Sequence, residues 1–385
     1  MSNPSPRLGA PLLALLGALC GAFAIAAAVS RPPPPEAKAA PPVAFSAERA
    51  FEDIRRIAGE PRPAGSPQDA RVRSYLQARL RELGLQVQTQ AGPLGPRARA
   101  TLARWGVPAP AAAEAVNVVG VLAGRDRASP AVLLMAHHDS VAGSPGAADD
   151  AAGLAVILET LRALHAGPRP ERDVMVLFTD AEELDSGGAE RFFASPLARR
   201  VGVAINLEAR GGGGRALMFE TGSGDGPTMR LFARSVGAPA TNSAAVLVYR
   251  LLPNATDFTA ARRRGVAGFN FAFLGRPGLY HSPLATAGAI DPRSVQHLGG
   301  QVLDLARALA VSPRCVVADE PVAAPLALRA REPGAVLTRR APIAERDEHV
   351  PDDLHPHLRA ALGADERVAG GEAAAGRAAR GGAHR

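Results

Sequence analysis

Cysteine, lysine and aromatic residues are scarce in this 385-residue chain, and each scarcity excludes something. The two cysteines are Cys20, inside an apolar run, and Cys315, in a Pro/Ala/Arg-rich region. Neither a disulfide framework nor a cysteine zinc site can be built from them, so any metal must be held by nitrogen and oxygen. Lysine occurs once, as Lys38, and aromatic residues make up 4% of the chain, so the net charge of +7 rests on arginines scattered among acidic residues. A nucleic-acid surface gathers basic residues on one face, commonly with aromatic residues for stacking. This pattern has neither, and nucleic acid is not an expected partner.

Charge is missing altogether from Leu8 to Ser30, a run flanked by Arg7 and Arg31. It approaches the roughly 20 apolar residues that span a bilayer and exceeds the about 7–15 of a cleaved signal peptide. The expectation is one N-terminal transmembrane helix acting as a signal anchor within residues 1–30, with a cleavable signal peptide, cut near Ala26–Ala28, as the alternative. Leu19 stands before Cys20 where a lipoprotein signal would want a small residue, which argues against lipidation. Residues 31–46, rich in proline, read as a stiff, extended linker.

The remaining chain divides at about residue 312. Across 47–312 short apolar runs such as AVLLMAH, DVMVLFTD and VAINLEA alternate with amphipathic helical stretches such as GLAVILETLRALHAG. Continuous apolar strands separated by helices predict an α/β domain with a mixed, largely parallel central sheet and helices on both faces. Beyond 312 the periodicity stops, and residues 313–385 read as a low-complexity, disordered tail whose four histidines fall at no ligand spacing.

Basic residues are also absent from Ala136–Gly153, AHHDSVAGSPGAADDAAG, which nonetheless holds two histidines and three aspartates. So many carboxylates and imidazoles are costly together unless something positive sits among them. The other acidic and imidazole residues also fall where predicted strands end: Glu182 and Glu183 after DVMVLFTD, Glu208 ending VAINLE, His281 after FNFAFL. In open parallel sheets ligands bind in the crevice beyond the carboxyl ends of the strands. Two zinc ions sharing one bridging carboxylate would supply the missing charge.

The pieces AHHDS, GAADDAAG, FTDAEE, INLEARGGGG, ATDF and LYHSPLAT, in this order and spacing, resemble the co-catalytic zinc exopeptidases. That family includes bacterial leucyl aminopeptidases, glutamate carboxypeptidase-like enzymes and membrane-bound endoplasmic reticulum metallopeptidases. The resemblance covers roughly residues 47–312, and glutamate in INLEA is closest to the membrane-bound branch. It implies that His137 binds one zinc and His281 the other, that Asp149 bridges them, and that Glu183 and Glu208 complete one each. Glu182 becomes the general base that takes a proton from the attacking water and delivers it to the leaving amine. Asp139 becomes the carboxylate that orients His137 through its other ring nitrogen. Tyr249 and Tyr280 are candidates either for an oxyanion hydrogen bond or for aromatic packing. Asp150 is expected to cap the following helix, Asp180 to serve a turn or a cap and Asp257 to support the scaffold. His138 is expected to be no ligand and, if exposed, to line the cleft.

The implied function is a two-zinc exopeptidase, foremost an aminopeptidase, acting on peptide substrates. Its catalytic domain would be anchored outside the cytoplasm, on the periplasmic side of a bacterial inner membrane, or secreted if the N-terminal segment is cleaved. The alternatives are a glutaminyl-cyclase-like transferase with one zinc and a non-catalytic ectodomain of the same fold. Two departures are local: Ala285 replaces a frequent aspartate after HSP, and Ala152 a frequent serine. A third is larger, since membrane-branch relatives continue into further transmembrane helices. The change of composition after residue 312 would also fit a truncated or frame-shifted gene.

Overall fold

Strand residues buried on both sides divide by parity, and that division organises the domain. Along Ala131–His137, Val132, Leu134 and Ala136 enter one apolar cluster while Ala131, Leu133 and Met135 enter another on the opposite face. A period of two with no polar position before the terminal His137 is what a strand covered on both sides requires. The computed structural model describes residues 9–109, 112–222, 225–251 and 255–311. They lie within a first compact unit, Met1–Leu326; the second, Ala327–Arg385, with the expected tail, lies outside the described residues.

Among the described residues seven strands form one sheet: β1 Gln86–Pro93, β2 Glu114–Leu122, β3 Ala131–His137, β4 Val174–Thr179, β5 Val201–Ala209, β6 Gly213–Thr221 and β7 Ala267–Gly275. Their order is β1-β2-β4-β3-β5-β7-β6. The central pairings β4/β3, β3/β5 and β5/β7 are parallel, while β1/β2, β2/β4 and β7/β6 are antiparallel. The fold is thus mixed α/β with a parallel centre. The apolar runs AVLLMAH, DVMVLFTD, VAINLEA and FNFAFL, predicted as strands, fall on β3, β4, β5 and β7. The edge strands have no such run: QVQTQAGP leaves most of its residues at least partly exposed, and GGRALMFET opens on glycines.

Helices Ala47–Ile57, Gly153–His165 and Pro292–Val311 pack on one face of the sheet, and Gly187–Ala194 and Asp257–Arg263 on the other. Ser46 caps the first of these, accepting a hydrogen bond from the Arg49 amide. The proline-rich segment before it lies against the domain. Arg49 donates to the carbonyls of Lys38, Ala40 and Ala44, Arg162 to that of Pro42 and Arg293 to that of Pro32. Phe45 is buried against Gly299, where a Cβ would stand 2.0 Å from its ring.

Gly299→Ala should therefore displace the ring at a cost of about 1–3 kcal/mol. Because Lys38 is the only lysine, a lysine-specific protease has one target. Cleavage there is expected to accelerate several-fold in Gly299→Ala, and unchanged cleavage would show that the ring does not hold the segment down.

The charge-free N-terminal run forms the helix Gly9–Ser30. Its described side chains, from Leu13 to Ile25, include exposed Leu13, Leu19, Phe23 and Ile25. Among the described residues no helix is long and apolar enough to cross a membrane.

Candidate metal centre

Every acidic or imidazole residue expected at the site lies at or just beyond the carboxyl ends of the central strands. His137 is the last residue of β3 and Glu208 the penultimate residue of β5. After β4 the chain reverses at Ala181, buried with φ 61°, and enters the short helix Glu182–Asp185. His281 follows β7 and also has positive φ, 52°. Left-handed backbone at a residue with a Cβ costs roughly 1 kcal/mol or more and is kept where surroundings impose it, commonly at functional sites. Asp149 arrives on the loop after β3, whose Gly146 has φ 54° and would carry a Cβ 2.4 Å from the Asp149 carbonyl. Only glycine fits there, so the small residues of GSPGAAD are what let the loop fold back. The Asp149–Asp150 peptide bond is cis.

The side chains gather into two groups that share Asp149: His137, Asp149 and Glu208, and Asp149, Glu183 and His281. In each group the ligand atoms lie within 4.8 Å of one another. His137 Nε2 is 3.0 Å from Asp149 Oδ1 and 4.0 Å from Glu208 Oε2. His281 Nε2 is 3.3 Å from Asp149 Oδ2 and 2.9 Å from Glu183 Oε2. Despite these distances, His281 Nε2 and Glu183 Oε1 are buried atoms without a hydrogen-bond partner. Buried polar atoms left unpaired are costly, and these belong to a nitrogen–oxygen donor set that suits zinc. Each group fits a metal cation, and Asp149 belongs to both.

The electrostatics point the same way. Burial alone would lower the pKa of His137, yet Asp139 and Asp149 hold it well above its ordinary value. Burial likewise opposes a proton on His281, but Asp149 and Glu183 raise its pKa to about 10. Burial also pushes Glu182, Glu183 and Glu208 above the usual carboxylate range, reinforced at Glu182 by Glu208 and at Glu183 by Asp149. Asp149 is held below that range, against its burial, by His137 and His281 beside it. Surroundings that raise a histidine's affinity for a proton raise it for a metal ion too.

Asp139 is buried beneath the site. The His137 Nδ1 contact runs to the Asp139 backbone carbonyl at 3.1 Å, with its carboxylate Oδ1 at 3.6 Å. The carboxylate itself accepts hydrogen bonds from the Glu182 amide at 3.1 Å and the Glu183 amide at 3.2 Å. One residue thus contacts His137 and fixes the backbone carrying both glutamates. Asp150 Oδ1 accepts from the Gly153 amide at 2.9 Å, at the start of the helix it was expected to cap, while the cap position itself is Ala152.

Two features differ from expectation. His138 does not face a cleft: it is fully buried, 2.7 Å from Asp69 Oδ1, with Nε2 3.1 Å from the Val116 carbonyl. Asp69, His138 and Asp180 also form a potential metal-binding group. Here protein groups already satisfy the members, since Arg73 donates to Asp69 and the Val116 and Ala181 amides donate to Asp180. The second feature is a basic residue that the motifs do not contain. Arg62, from the loop PRPAGSP, is fully buried and donates to the backbone carbonyls of His138 (2.6 Å), Pro145 and Gly146 (3.0 Å). Burial lowers its pKa, while Asp139, Asp150, Asp69 and Asp149 favour its charge. Positive charge therefore lies beneath the loop as well as being called for above it. The sequence clue was a lone arginine between prolines, which reads as a turn.

Tyr280 stacks on His281, with ring centroids 3.7 Å apart, and the Arg210 guanidinium lies over the Tyr280 ring, 5.3 Å from its centre. Burial and then Asp149 raise its pKa. Tyr249 packs edge-on against Phe219, its pKa pushed up to about 12 by burial and then Glu220, with Thr256 and Thr259 opposing the rise. Asp257 is buried at the start of its helix and accepts a hydrogen bond from Thr179 at the end of β4, the expected scaffold role.

Residues 117–306 match the sequence profile of peptidase family M28. Mouse endoplasmic reticulum metallopeptidase 1 is 37% identical over 201 residues, 51% of this chain and 22% of that protein. The vacuolar membrane protease of Candida dubliniensis is 29% identical over 257 residues, 66% of this chain and 27% of that protein. The match thus spans about a quarter or less of these relatives' length. Among solved structures, a zinc aminopeptidase from Bacillus subtilis superposes with TM-score 0.57 at 16% identity, covering 71% of this chain and 98% of that one. Porphyromonas gingivalis glutaminyl cyclase superposes with TM-score 0.53 at 20% identity, covering 68% and 98%. At such identities the two superpositions establish the fold.

Proposed function

The domain containing residues 117–306 belongs to peptidase family M28, and from that premise we propose that this chain is a zinc-dependent exopeptidase, an aminopeptidase that hydrolyses the terminal bond of a peptide. The observation that carries the reading is the sharing of Asp149 between two three-residue groups, each of which could hold a cation. His137 and Glu208 would hold one zinc and Glu183 and His281 the other, with Asp149 between them. Bound zinc supplies Lewis acidity at the substrate carbonyl and lowers the pKa of water.

The chain's own residues supply the rest. Glu182 belongs to neither group, and its raised pKa gives its carboxylate the proton affinity a general base needs. It takes a proton from the attacking water and returns it to the leaving amine. Asp139 keeps Glu182 and Glu183 in fixed relation through their amides. Tyr280, stacked on His281, is the better placed of the two tyrosines to donate to the developing oxyanion. In this reading the charge-free N-terminal run associates the chain with a membrane, with the catalytic domain outside the cytoplasm.

The test is hydrolysis of a mixed library of dipeptides and end-blocked peptides by zinc-reconstituted full-length protein. Cleavage of substrates with a free amino terminus, abolished by chelator and restored by zinc, is expected. Cleavage that requires a free carboxylate would make it a carboxypeptidase. Cyclisation of N-terminal glutamine with one zinc per chain would favour the cyclase-like reaction, and no turnover with zinc bound would favour a binding module.

A further inference from the structure

A row of buried polar side chains crosses β5, β7 and β6 and ends on Glu208. Asn206 and Glu208 are two residues apart on β5 and so face the same side of the sheet. Asn206 pairs in register with Asn270 of β7, and Asn270 with Glu220 of β6. Asn206 Nδ2 donates to Glu208 Oε1 at 3.1 Å and to Asn270 Oδ1 at 3.0 Å. Asn270 Nδ2 donates in turn to Glu220 Oε2 and to Thr256 Oγ1, each at 3.0 Å, and Arg262 donates to Glu220 Oε1. Both asparagines are fully buried, and Glu208 and Glu220 nearly so.

We propose that Asn206, Asn270 and Glu220 are positioning residues that fix which oxygen of Glu208 faces the metal site. The inference rests on the two-zinc reading. An ionised carboxylate only accepts hydrogen bonds, whereas an amide presents a donor at one end and an acceptor at the other. Glu220 therefore dictates that Asn270 turns its Nδ2 outward and its Oδ1 toward Asn206. That oxygen in turn draws Asn206 Nδ2, which is then also the end presented to Glu208. The flipped amide would set an oxygen against the Glu208 carboxylate. Asn206 Oδ1 is left buried without a partner, so the side chain is held for its donor rather than for the best use of both ends. With Oε1 engaged, Oε2 is the oxygen 4.0 Å from His137 Nε2. Glutamate has one more rotatable bond than aspartate, and this row restrains that freedom. Arg262 compensates the charge at the far end of the row.

Zinc titration of the metal-stripped full-length protein by calorimetry tests the proposal. Wild type is expected to bind two zinc ions. Asn206→Leu, of similar size but unable to donate, should weaken one of the two sites by about 10–100-fold and leave the other unchanged. Asn206→Ser covers the case in which the leucine variant fails to fold, with loss at the same site. Glu220→Gln keeps shape but lets the distal group donate, so it should weaken the same site by a smaller factor, whereas a role in packing alone would leave binding unaltered. Wild-type affinity at both sites in the Asn206 variants, or equal weakening of both, would overturn the proposal. Fewer than two zinc ions on wild type would instead remove the two-zinc reading, and this inference with it.

Discussion

Exchange of Glu182 for glutamine is expected to lower kcat by about 10²–10⁴-fold, the range that a general acid–base group contributes, while zinc content stays at the wild-type level. The reason is the division of labour between adjacent glutamates. Glu183 shares a three-residue group with Asp149 and His281, and Glu182 shares none. Glutamine preserves the size of the side chain and the backbone amide that Asp139 holds, but it has no basic oxygen to accept the proton. Glu183→Gln is the matched control: it alters a donor within the Asp149–Glu183–His281 group and should lower zinc affinity first. Metal analysis beside steady-state kinetics separates the two. An almost fully active Glu182→Gln protein would remove Glu182 from the mechanism.

The site was legible in the sequence to the extent that its parts are local. His137 and Asp149 lie twelve residues apart, and Glu182 with Glu183 and Glu208 sit just past or at the ends of apolar runs that any parallel sheet would bury. What supports them was not legible, because it depends on strand register and on loops distant in the chain. Asn206 meets Asn270 across 64 positions only because β5 and β7 pair in that register. Asp139 reaches the amides of Glu182 and Glu183 from 43 and 44 residues away, so the family resemblance gave its contact with His137 and not this second job. The same limit applied to the fold. Central strands announced themselves by continuous apolar runs, while exposed, glutamine-rich β1 depends on its partner β2 for definition.

Arg62 is the sharpest case of a distant support, and its removal should be felt by the whole domain. Arg62→Met is expected to destabilise the metal-free protein by about 3–5 kcal/mol, the range for removing one partner from a buried set of charges. Two losses combine. The carbonyls of His138, Pro145 and Gly146 lose a common donor inside the protein, and the carboxylates of Asp139, Asp150, Asp69 and Asp149 lose a neighbouring positive charge. Arg62→Lys keeps the charge but cannot spread donors in a fork to carbonyls on both sides of the loop, so it should recover only part of the loss. Zinc offers a second source of charge in the native state alone, and ligand binding to the native state raises stability. Saturating zinc should therefore stabilise Arg62→Met in denaturant titrations, although its affinity will be lower than that of wild type because the loop carrying Asp149 is no longer held from beneath. A metal-free Arg62→Met protein within about 0.5 kcal/mol of wild type, the range of an ordinary surface substitution, would show that the loop carries itself and that the buried guanidinium is incidental to the site.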